Sequence, residues 1–504
     1  MAELMPQTLS LKTLNGLGPN VAIPRYARAD LTPGILHFGL GNFHRGHQAR
    51  YLDELFNQGK NLDWAIIGAG VLPADQRMHD ALKAQDWLTT VVEQEATSSK
   101  ARVIGSMVDF IPPTDKSRLI TTLADPAIRI VSITITEGGY FINPATGIFD
   151  PADPQIMRDG MRPQDPATVF GLIALGLARR RAAGITPFTV MSCDNIPHNG
   201  VVARNAVAGV ARLSDPGLAD WIEANVAFPN AMVDRIVPAT TGRERQLLEN
   251  DFGIVDRWPV FCEEFIQWVI SGEFSNGRPE FEAAGAQFVA DVTPFEFMKI
   301  RILNGGHASI AYAGALLDVH FVHEAMEHPL VGGFFARIER EEIIPTVGEV
   351  PGVKLDDYFE LIKRRFLNPK IGDTIARLAF DGSNRQPKFI VPPVADRLKA
   401  NKSVDGLALE SALWCRYCYG TTESGKVIAP NDPIWDRLQQ TARTAKDNPS
   451  AWLAMGDIYG DAGRNPVFAK AFDRALRQLW SEGPARTLQA YVAEPVKFRT
   501  AAAS

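Results

Sequence analysis

Between Gly34 and Asn195, short apolar runs rich in β-branched residues alternate with amphipathic segments of helical length. The apolar runs predict strands, several of them too uniformly apolar to leave one face in water, at 34–38, 64–67, 89–93, 128–136 and 187–193. The amphipathic segments, such as 48–56 and 167–178, predict helices that cover the sheet. This order predicts an α/β fold, namely a Rossmann-type, doubly wound domain.

Downstream of Asp291 the pattern changes, because strand-like runs nearly vanish and amphipathic segments follow one another. Helices are predicted at 295–317, 355–366, 405–419, 432–445 and 466–480. We therefore predict two domains, a Rossmann-type domain over residues 1–290 and a mostly α-helical C-terminal domain over residues 291–504.

The composition is that of an ordinary soluble protein. The 504 residues carry a formal charge of -6 that is spread along the chain, so neither nucleic acid nor a membrane is expected as a partner. The first residues lack the features of a secretory signal, and four cysteines are too few to staple so long a chain, so we expect a cytoplasmic protein. Cys415 and Cys418 have redox-motif spacing, but they lie in a predicted helix, where two core cysteines are the favoured interpretation.

The first predicted strand leads directly into a glycine turn followed by a helix, an arrangement that presents backbone N–H groups to a pyrophosphate. The turn has the G-x-G pair, but His44 stands where a third glycine is typical, so a simple structural turn is an alternative. The residues expected to contact a dinucleotide here are Phe38, Gly39, Leu40, Gly41, Asn42, Phe43 and Arg45.

Asp75 favours NAD over NADP as the cofactor. It lies beyond the strand predicted at 64–67, where a carboxylate can accept hydrogen bonds from ribose hydroxyls and repel a 2′-phosphate. Gly68-Ala-Gly70 also looks like a phosphate loop, and Arg77 would accept a phosphate if Asp75 pointed elsewhere. We expect NAD.

Two polar stretches lie at the ends of predicted strands, at the edge where open α/β sheets bind their ligands. They are Thr136-Glu-Gly-Gly-Tyr140, after the strand at 128–136, and Ser192-Cys-Asp-Asn195, after the strand at 187–193. Each could be an ordinary turn, but two of them at one rim favour a functional interpretation. Glu137 and Gly138 are expected to contact the cofactor.

If NAD is bound, an alcohol substrate must also lose its hydroxyl proton, and enzymes commonly meet this need with a zinc ion or with a side-chain base. The chain has no H-E-x-x-H motif, no second Cys-x-x-Cys and no tyrosine with a lysine four residues later. Zinc is therefore not expected, and Lys299 is the strongest candidate for the base.

Lys299 belongs to a segment with unusual polar residues. On an α-helix Lys299, Asn304 and His307 would fall within an arc of about 140° and would face one cleft between the two domains. Gly305 and Gly306 would then leave room for a ligand to approach the backbone. A snorkelling lysine and a core histidine are the alternative.

Five motifs together resemble the polyol-specific long-chain dehydrogenases and reductases, and the resemblance runs from about Leu36 to Val492. The motifs are Gly39-x-Gly41-x-Phe43-His44-Arg45, Thr134-Ile-Thr-Glu137-Gly-Gly-Tyr140, Ser192-Cys-Asp-Asn195, Phe228-Pro-Asn-Ala-Met-Val-Asp234-Arg235-Ile and Lys299-x(4)-Asn304-x(2)-His307. The resemblance implies a monomeric enzyme that oxidises D-mannitol to D-fructose reversibly, with NAD and without a metal. The alternatives are an enzyme of fructuronate, D-arabinitol or D-sorbitol, and a non-catalytic NAD-binding regulator.

The resemblance also implies a role for each matching residue. Lys299 would be the general base, and Glu296 would be the acid on the proton's route to solvent. Asn195 and Asn304 would stabilise the developing alkoxide, and His307 would orient substrate hydroxyls. The substrate site would also include Val233, Asp234, Arg377 and Arg385, the last of which is usually a lysine in this family.

Overall fold

The computed structural model describes residues 6–143 and 147–493. It divides into two compact units, Met1–Thr293 and Pro294–Ser504. Within the described residues, all strands belong to the first unit, and the second unit is built from helices. The change of pattern near Asp291 therefore corresponds to a real change of architecture.

The first unit is built around a main sheet of five strands, all of them parallel. In spatial order these strands are Met107–Ile111, Ala65–Ala69, Pro33–Phe38, Ile130–Ile133 and Thr189–Ser192. The strand that comes first in the sequence is thus central, and the chain adds strands on one side of it and then on the other. This doubly wound order places the carboxyl ends of neighbouring strands at one rim.

Both faces of the main sheet are covered, which explains why its strands are so uniformly apolar. On one face Leu36 belongs to a core formed with helices Val169–Ala183 and Asn199–Arg212. On the opposite face Ile35 belongs to a second core, which includes the apolar side of helix Gln48–Asn57. Consecutive residues of one strand therefore serve two cores.

Four of the five predicted strands lie in the main sheet, but the fifth does not. Thr89–Gln94 forms as a strand, yet it pairs with Val260–Glu263 and Ser99–Ile104 in a separate mixed sheet that also includes Val21–Ala22. Its placement was mispredicted because one of its partners lies far away in the sequence. The strand predicted at 128–136 was too long, since it ends at Ile133.

Two smaller sheets and several helices complete the first unit. Asn230–Asp234, Gln267–Ser271 and Gln287–Phe288 form one small sheet, and Gln7–Thr8 pairs with Ile254–Val255 in the other. The remaining α-helices are Asn42–Gly46, Asp75–Lys83, Lys116–Ala124, Pro154–Met161, Pro216–Asn225 and Gly242–Phe252. The ends of these elements follow local chemistry, because Thr168 caps the first turn of Val169–Ala183 and Gly184, with φ of 67°, ends it.

The second unit contains thirteen α-helices in its described residues after Met298. They are Gly305–Leu316, Val322–Glu327, Pro329–Ile338, Leu355–Phe366, Ile375–Ala379, Gly382–Phe389, Val391–Lys399, Asp405–Cys418, Trp435–Ala445, Ser450–Leu453, Gly456–Tyr459, Pro466–Ser481 and Pro484–Ala493. Asp405–Cys418 is buried along almost its whole length, between Gly305–Leu316 and Pro466–Ser481. Across the described ranges, no helix has the length and apolar character needed to span a membrane.

Cys415 and Cys418 are both buried in helix Asp405–Cys418, and neither forms a disulfide. Burial raises the pKa of both thiols well above the ordinary value. A thiol must ionise to act as a nucleophile, so this environment favours the core interpretation over the redox one.

The helix predicted at 295–317 is not a single α-helix. It consists of α-helix Thr293–Met298, π-helix Lys299–Asn304 and α-helix Gly305–Leu316. A π-helix joins residues five apart, so each turn holds more residues than an α-helical turn. The arc of about 140° calculated for an α-helix is therefore wrong for this segment. Short π-segments inside α-helices are frequent at functional sites.

Gly306 is explained by packing and not, as predicted, by room for a ligand, whereas at Gly305 that room stays a prediction. A Cβ at Gly306 would lie 2.8 Å from the ring of Phe335 and 3.2 Å from the carboxylate of Glu339, and a Cβ at Gly305 would lie 3.6 Å from Ile343. Glu339 and Ile343 begin and end a second π-helix. The lack of a side chain at Gly306 thus allows two π-containing segments to pack closely, whereas a Cβ at Gly305 would make only an ordinary contact.

Alanine substitutions at the two glycines should differ in their effect on thermal stability. Gly306→Ala forces a methyl group against Phe335, so we expect the melting temperature to fall by several degrees. Gly305→Ala adds only ordinary contacts and gains about 1 kcal/mol of helix propensity, so its melting temperature should be unchanged or higher. Differential scanning fluorimetry measures both, and equal melting temperatures would contradict the packing explanation.

Candidate active site

Gly39 forms the turn that leaves the central strand. Its φ is 92°, and a Cβ there would collide with the carbonyl oxygen of Thr134, which follows the neighbouring strand Ile130–Ile133. The N–H of Thr134 donates to the carbonyl of Phe38 at 2.9 Å, and its hydroxyl donates to the carbonyl of Gly39 at 2.6 Å. The two loops therefore touch through their backbones, and glycine is the residue that fits.

Gly41 lies on the open side of this turn, just before the short helix Asn42–Gly46. It is exposed, and a Cβ there would meet nothing within 4 Å. Leu40 is buried and packs closely against Gly68, so the turn packs on the neighbouring strand Ala65–Ala69. An exposed glycine turn at the carboxyl end of a central parallel strand is suited to close approach by a dinucleotide pyrophosphate.

Asn42 and Arg45 are engaged inside the protein. The amide nitrogen of Asn42 donates to the carbonyl of Pro238 at 3.1 Å and to the hydroxyl of Thr240 at 3.0 Å. Arg45 is buried, and its guanidinium donates to the side-chain oxygen of Asn42 at 2.7 Å and to the carbonyl of Trp258. These bonds anchor the start of the short helix. Contact of Asn42 or Arg45 with the cofactor stays a prediction.

Aromatic and imidazole rings pack around the same turn. Phe38 is fully buried, and the ring of Phe43 stacks on that of His47 with centroids 4.9 Å apart. His37 and His44 stack at 3.4 Å, and burial lowers the pKa of His37 to about 3 and that of His44 well below its ordinary value. Both imidazoles are therefore neutral near pH 7. The support that they give to the turn was not predicted from the sequence.

Asp75 closes the loop after strand Ala65–Ala69. Its Oδ2 accepts the backbone N–H of Val71 at 2.8 Å and that of Leu72 at 2.9 Å. The side chain of Arg77, which was considered as a phosphate ligand, is exposed. Asp75 thus has a local structural role, and its contact with a ribose stays a prediction.

The loop after strand Ile130–Ile133 contains a strained residue. Thr136 has φ of 67° and ψ of 162°, a region that is almost restricted to glycine and costs other residues about 1–3 kcal/mol. Glu137 and Gly138 follow in a 3₁₀-helix, and both are exposed. Because strain of this kind concentrates at binding sites, it supports the cofactor contacts predicted for Glu137 and Gly138.

Asp194 connects this loop to the end of strand Thr189–Ser192. Its Oδ1 accepts the N–H of Thr136 at 2.8 Å, and its Oδ2 accepts the N–H of Ile135 at 3.0 Å and the hydroxyl of Tyr140 at 2.7 Å. The next residue, Asn195, is exposed. The structure therefore brings the predicted catalytic Asn195 and the predicted cofactor loop to the same rim.

Val233 and Asp234 end strand Asn230–Asp234, and both are buried. The following residue, Arg235, is buried as well and forms an ion pair of 2.7 Å with Glu93. This pair was not predicted, although a charged residue directly after an apolar strand was a usable signal. The substrate contacts of Val233 and Asp234 stay predictions.

In the second unit, the π-helix carries the predicted catalytic residues. Lys299 begins it and is 7% exposed, and Glu296, one turn earlier, is 4% exposed, so Lys299 is not a surface lysine. Among the described residues, Oδ1 of Asn304 and Nε2 of His307 are buried atoms without a hydrogen-bond partner. Buried polar atoms are normally hydrogen-bonded, so these two are suited to bind the hydroxyl groups of a ligand.

His307 lies among positive charges. Its ring stacks on that of Phe366 with centroids 4.4 Å apart. Loss of hydration lowers the pKa of His307 well below its ordinary value, and nearby cations lower it further. In decreasing order of effect, these cations are Arg377, Arg365, Arg385 and Lys299. The neutral imidazole can donate one hydrogen bond and accept another. Four of the site residues predicted in this unit, namely His307, Arg377, Arg385 and Lys299, are therefore close enough to interact electrostatically.

Arg377 and Arg385 have fixed positions beside this group. The guanidinium of Arg377 donates to both carboxylate oxygens of Asp373, each at 2.5 Å. Arg385 donates to the carbonyl of Leu378 at 2.7 Å. A guanidinium held along one side can present its other N–H groups in a defined direction, which suits recognition of hydroxyl groups.

These features define a Rossmann-type dehydrogenase with a helical second domain. The family model described as the mannitol dehydrogenase Rossmann domain matches residues 33–283, and that of the mannitol dehydrogenase C-terminal domain matches residues 291–480. The chain belongs to the mannitol dehydrogenase family. This confirms the family resemblance that the sequence motifs indicated.

Relatives and solved structures agree with this assignment. Mannitol 2-dehydrogenase of Cereibacter sphaeroides is 54% identical over 475 residues, which cover 94% of this chain and 99% of the relative. Mannitol 2-dehydrogenase of Aspergillus clavatus is 40% identical over 98% of this chain and 100% of the relative. The ternary complex of Pseudomonas fluorescens mannitol 2-dehydrogenase with NAD and D-mannitol is 43% identical, with a TM-score of 0.88 and coverage of 97% and 100%. A substrate-free D-sorbitol dehydrogenase is 35% identical, with a TM-score of 0.88 and coverage of 95% and 100%.

The two glycines of the turn should differ in their tolerance of alanine. Gly39→Ala combines an unfavourable φ with a collision against the carbonyl of Thr134, so we expect a loss of about 2 kcal/mol or more in the free energy of unfolding. Gly41→Ala meets no atom within 4 Å, so its stability should be close to that of the wild type. Urea denaturation followed by tryptophan fluorescence gives both values. Equal stability of the two variants would refute the backbone contact.

Proposed function

We propose that the chain oxidises D-mannitol to D-fructose reversibly with NAD as cofactor. The main support is the coincidence of two observations: family membership, and buried unpartnered atoms of Asn304 and His307 beside a buried lysine. The mannitol 2-dehydrogenases among the relatives favour D-mannitol over fructuronate, D-arabinitol and D-sorbitol.

Lys299 acts as the general base and accepts the proton of the hydroxyl group that is oxidised. A lysine can do this only as the neutral amine, and burial is a usual means by which proteins favour that form. Glu296, one helical turn away and also buried, passes the proton towards solvent. In the part of the chain that the structure describes, no three His, Cys, Asp or Glu side chains are grouped as metal ligands.

Asn195 and Asn304 donate hydrogen bonds to the reacting oxygen and stabilise the negative charge that develops there. His307 orients a neighbouring hydroxyl group, and Val233, Asp234, Arg377 and Arg385 bind the remaining hydroxyl groups of the polyol. We also propose a first domain at 1–290 and a second at 291–504. The boundary between the two matched family regions supports this division.

NAD supplies the hydride acceptor. The open turn at Gly41, the exposed Gly138 and the acidic Asp75 suit a dinucleotide, and Phe38 to Phe43, Arg45 and Glu137 complete the proposed contacts. We also propose a cytoplasmic monomer. The resemblance to the polyol dehydrogenases supports the monomer, and light scattering would measure it.

Turnover and one substitution test the proposal together. Purified protein with NAD and D-mannitol should produce NADH in the presence of EDTA, and faster than with D-sorbitol or D-arabinitol. In the reverse direction it should consume NADH faster with D-fructose than with fructuronate. Lys299→Ala should lower kcat by about 10²–10⁴ with NAD binding retained, because the general base is lost. Lys402→Ala, at an exposed position of the same unit, is the matched control and should keep kcat. Failure with every polyol, or full activity of Lys299→Ala, would refute the proposal.

A further inference from the structure

Asp194 has an unusually complete set of hydrogen bonds for a residue to which the proposed mechanism gives no role. Besides the three bonds that its carboxylate accepts from Ile135, Thr136 and Tyr140, its own backbone carbonyl accepts a bond of 3.0 Å from the amide of Asn199. Asp194 is only 8% exposed. A buried carboxylate with this many bonds has a closely defined position.

These bonds reach three strands of the first unit. The carboxylate holds the loop after Ile130–Ile133, while Asp194 itself follows Thr189–Ser192. The same side-chain amide of Asn199 also donates a hydrogen bond of 2.7 Å to the carbonyl of Ala231. Ala231 belongs to the strand that ends in Val233 and Asp234. Apart from the glycine turn and the loop of Asp75, three segments of the first unit have a predicted cofactor, catalytic or substrate role, and Asp194 is connected to each of them.

The partners of the carboxylate are held in their turn. The hydroxyl group of Tyr140 lies 2.5 Å from that of Ser192, and both residues are buried. Tyr140 ends the 3₁₀-helix Glu137–Tyr140, so the carboxylate of Asp194 binds this loop before Glu137 and again after Gly138. The exposed pair Glu137 and Gly138 therefore lies between two attachments that restrict its movement.

The bond between Asp194 and Thr136 holds a strained backbone conformation. Thr136 adopts a backbone conformation that is almost restricted to glycine, and a residue keeps such a conformation only where its surroundings impose it. Its N–H donates directly to Oδ1 of Asp194. Without that bond, the threonine would relax towards an ordinary conformation and carry Glu137 and Gly138 with it.

We propose that Asp194 is a positioning residue, which holds the strained Thr136 turn and the adjacent Asn195 in one fixed arrangement so that cofactor and reacting oxygen are aligned. The proposal rests on the proposed function, because it uses the roles given there to Asn195, Glu137 and Gly138. Small errors in alignment are costly in hydride transfer, since a displacement of about 1 Å can lower a rate by about 10².

Asp194→Asn tests this proposal, and the chain offers a matched control. The amide has the shape of the carboxylate but one oxygen fewer, so at least one donor loses its acceptor. Asp159 is also buried and accepts two backbone N–H groups, from Ala167 at 2.7 Å and Thr168 at 2.8 Å, together with the hydroxyl of Thr168 at 2.7 Å. Asp159→Asn therefore removes a comparable set of bonds at a place without a proposed function.

We expect both variants to lose thermal stability, but only Asp194→Asn to lose function beyond that loss. Below the melting temperatures, kcat for D-mannitol should fall by about 10–100-fold in Asp194→Asn and by less than about 3-fold in Asp159→Asn. The Kd of NADH, measured by its fluorescence, should rise by about 10-fold in the first variant only, because Glu137 and Gly138 are displaced. Equal changes in the two variants, or wild-type kcat and Kd in Asp194→Asn, would overturn the proposal.

A second substitution distinguishes positioning from general loss of structure. Thr136→Gly relieves the strain, so in the Asp194→Asn background it should restore kcat several-fold, and the double-mutant cycle should show coupling between the two positions. Strict additivity would overturn the proposal. If Asp194→Asn does not fold, Tyr140→Phe replaces it, with Thr168→Val as control, and the same contrast in kcat and in the Kd of NADH is expected.

The NADH measurement separates this proposal from the proposed function. If the wild type oxidises no polyol, the proposed function fails, but the contrast between Asp194→Asn and Asp159→Asn in NADH affinity still decides whether Asp194 positions the cofactor loop. If the wild type is active and the two variants behave alike, only the positioning role fails.

Discussion

The contact between the backbones of Gly39 and Thr134 is the constraint from which the rest of the first unit's site follows. Two neighbouring parallel strands end at the same rim, and their loops approach too closely for a Cβ at Gly39. The hydroxyl and N–H of Thr134 bind the turn, and Gly41 is left open on its outer side. Two residues later the same loop reaches the strained Thr136, which Asp194 binds. One close backbone approach thus connects the cofactor turn, the cofactor loop and the segment of Asn195.

A different device positions the predicted catalytic residues of the second unit. Lys299 and Asn304 are the two ends of a π-helix, which changes the direction of each following side chain relative to a regular α-helix. A second π-helix, Glu339–Ile343, lies against the start of helix Gly305–Leu316, and the lack of a side chain at Gly306 permits this close contact. The irregularity is therefore built into the packing of two helices. It is not a defect of one sequence segment.

Much of the fold could be predicted from the sequence because its signals are local. Uniformly apolar strands indicated a sheet buried on both faces, and the amphipathic segments at 355–366, 405–419 and 466–480 correspond closely to helices Leu355–Phe366, Asp405–Cys418 and Pro466–Ser481. The position of Thr89–Gln94 was mispredicted because strand pairing depends on distant partners, one of which is Val260–Glu263. The π-helix was missed because its i to i+5 bonding has no signature in apolar periodicity.

The same distinction applies to the candidate site. Residue types and motif spacing were enough to nominate Lys299, Asn304, His307 and Asn195, but not to show what surrounds them. Arg45 and Asp75 were expected to face the cofactor, and the structure shows that both also form internal bonds that no pattern in the chain reveals. The buried stack of His37 and His44 joins the two sides of the glycine turn, and the bonds of Asp194 join residues far apart in the sequence.

The sequence by itself therefore determined the fold class, the family and the chemical groups that are available for hydride-transfer chemistry, since these depend on composition, periodicity and local motifs. Only the tertiary structure decided which of these groups are buried, which polar atoms lack partners and which loops are held under strain. These properties arise from contacts between segments distant in the chain, and the sequence does not specify such contacts one residue at a time.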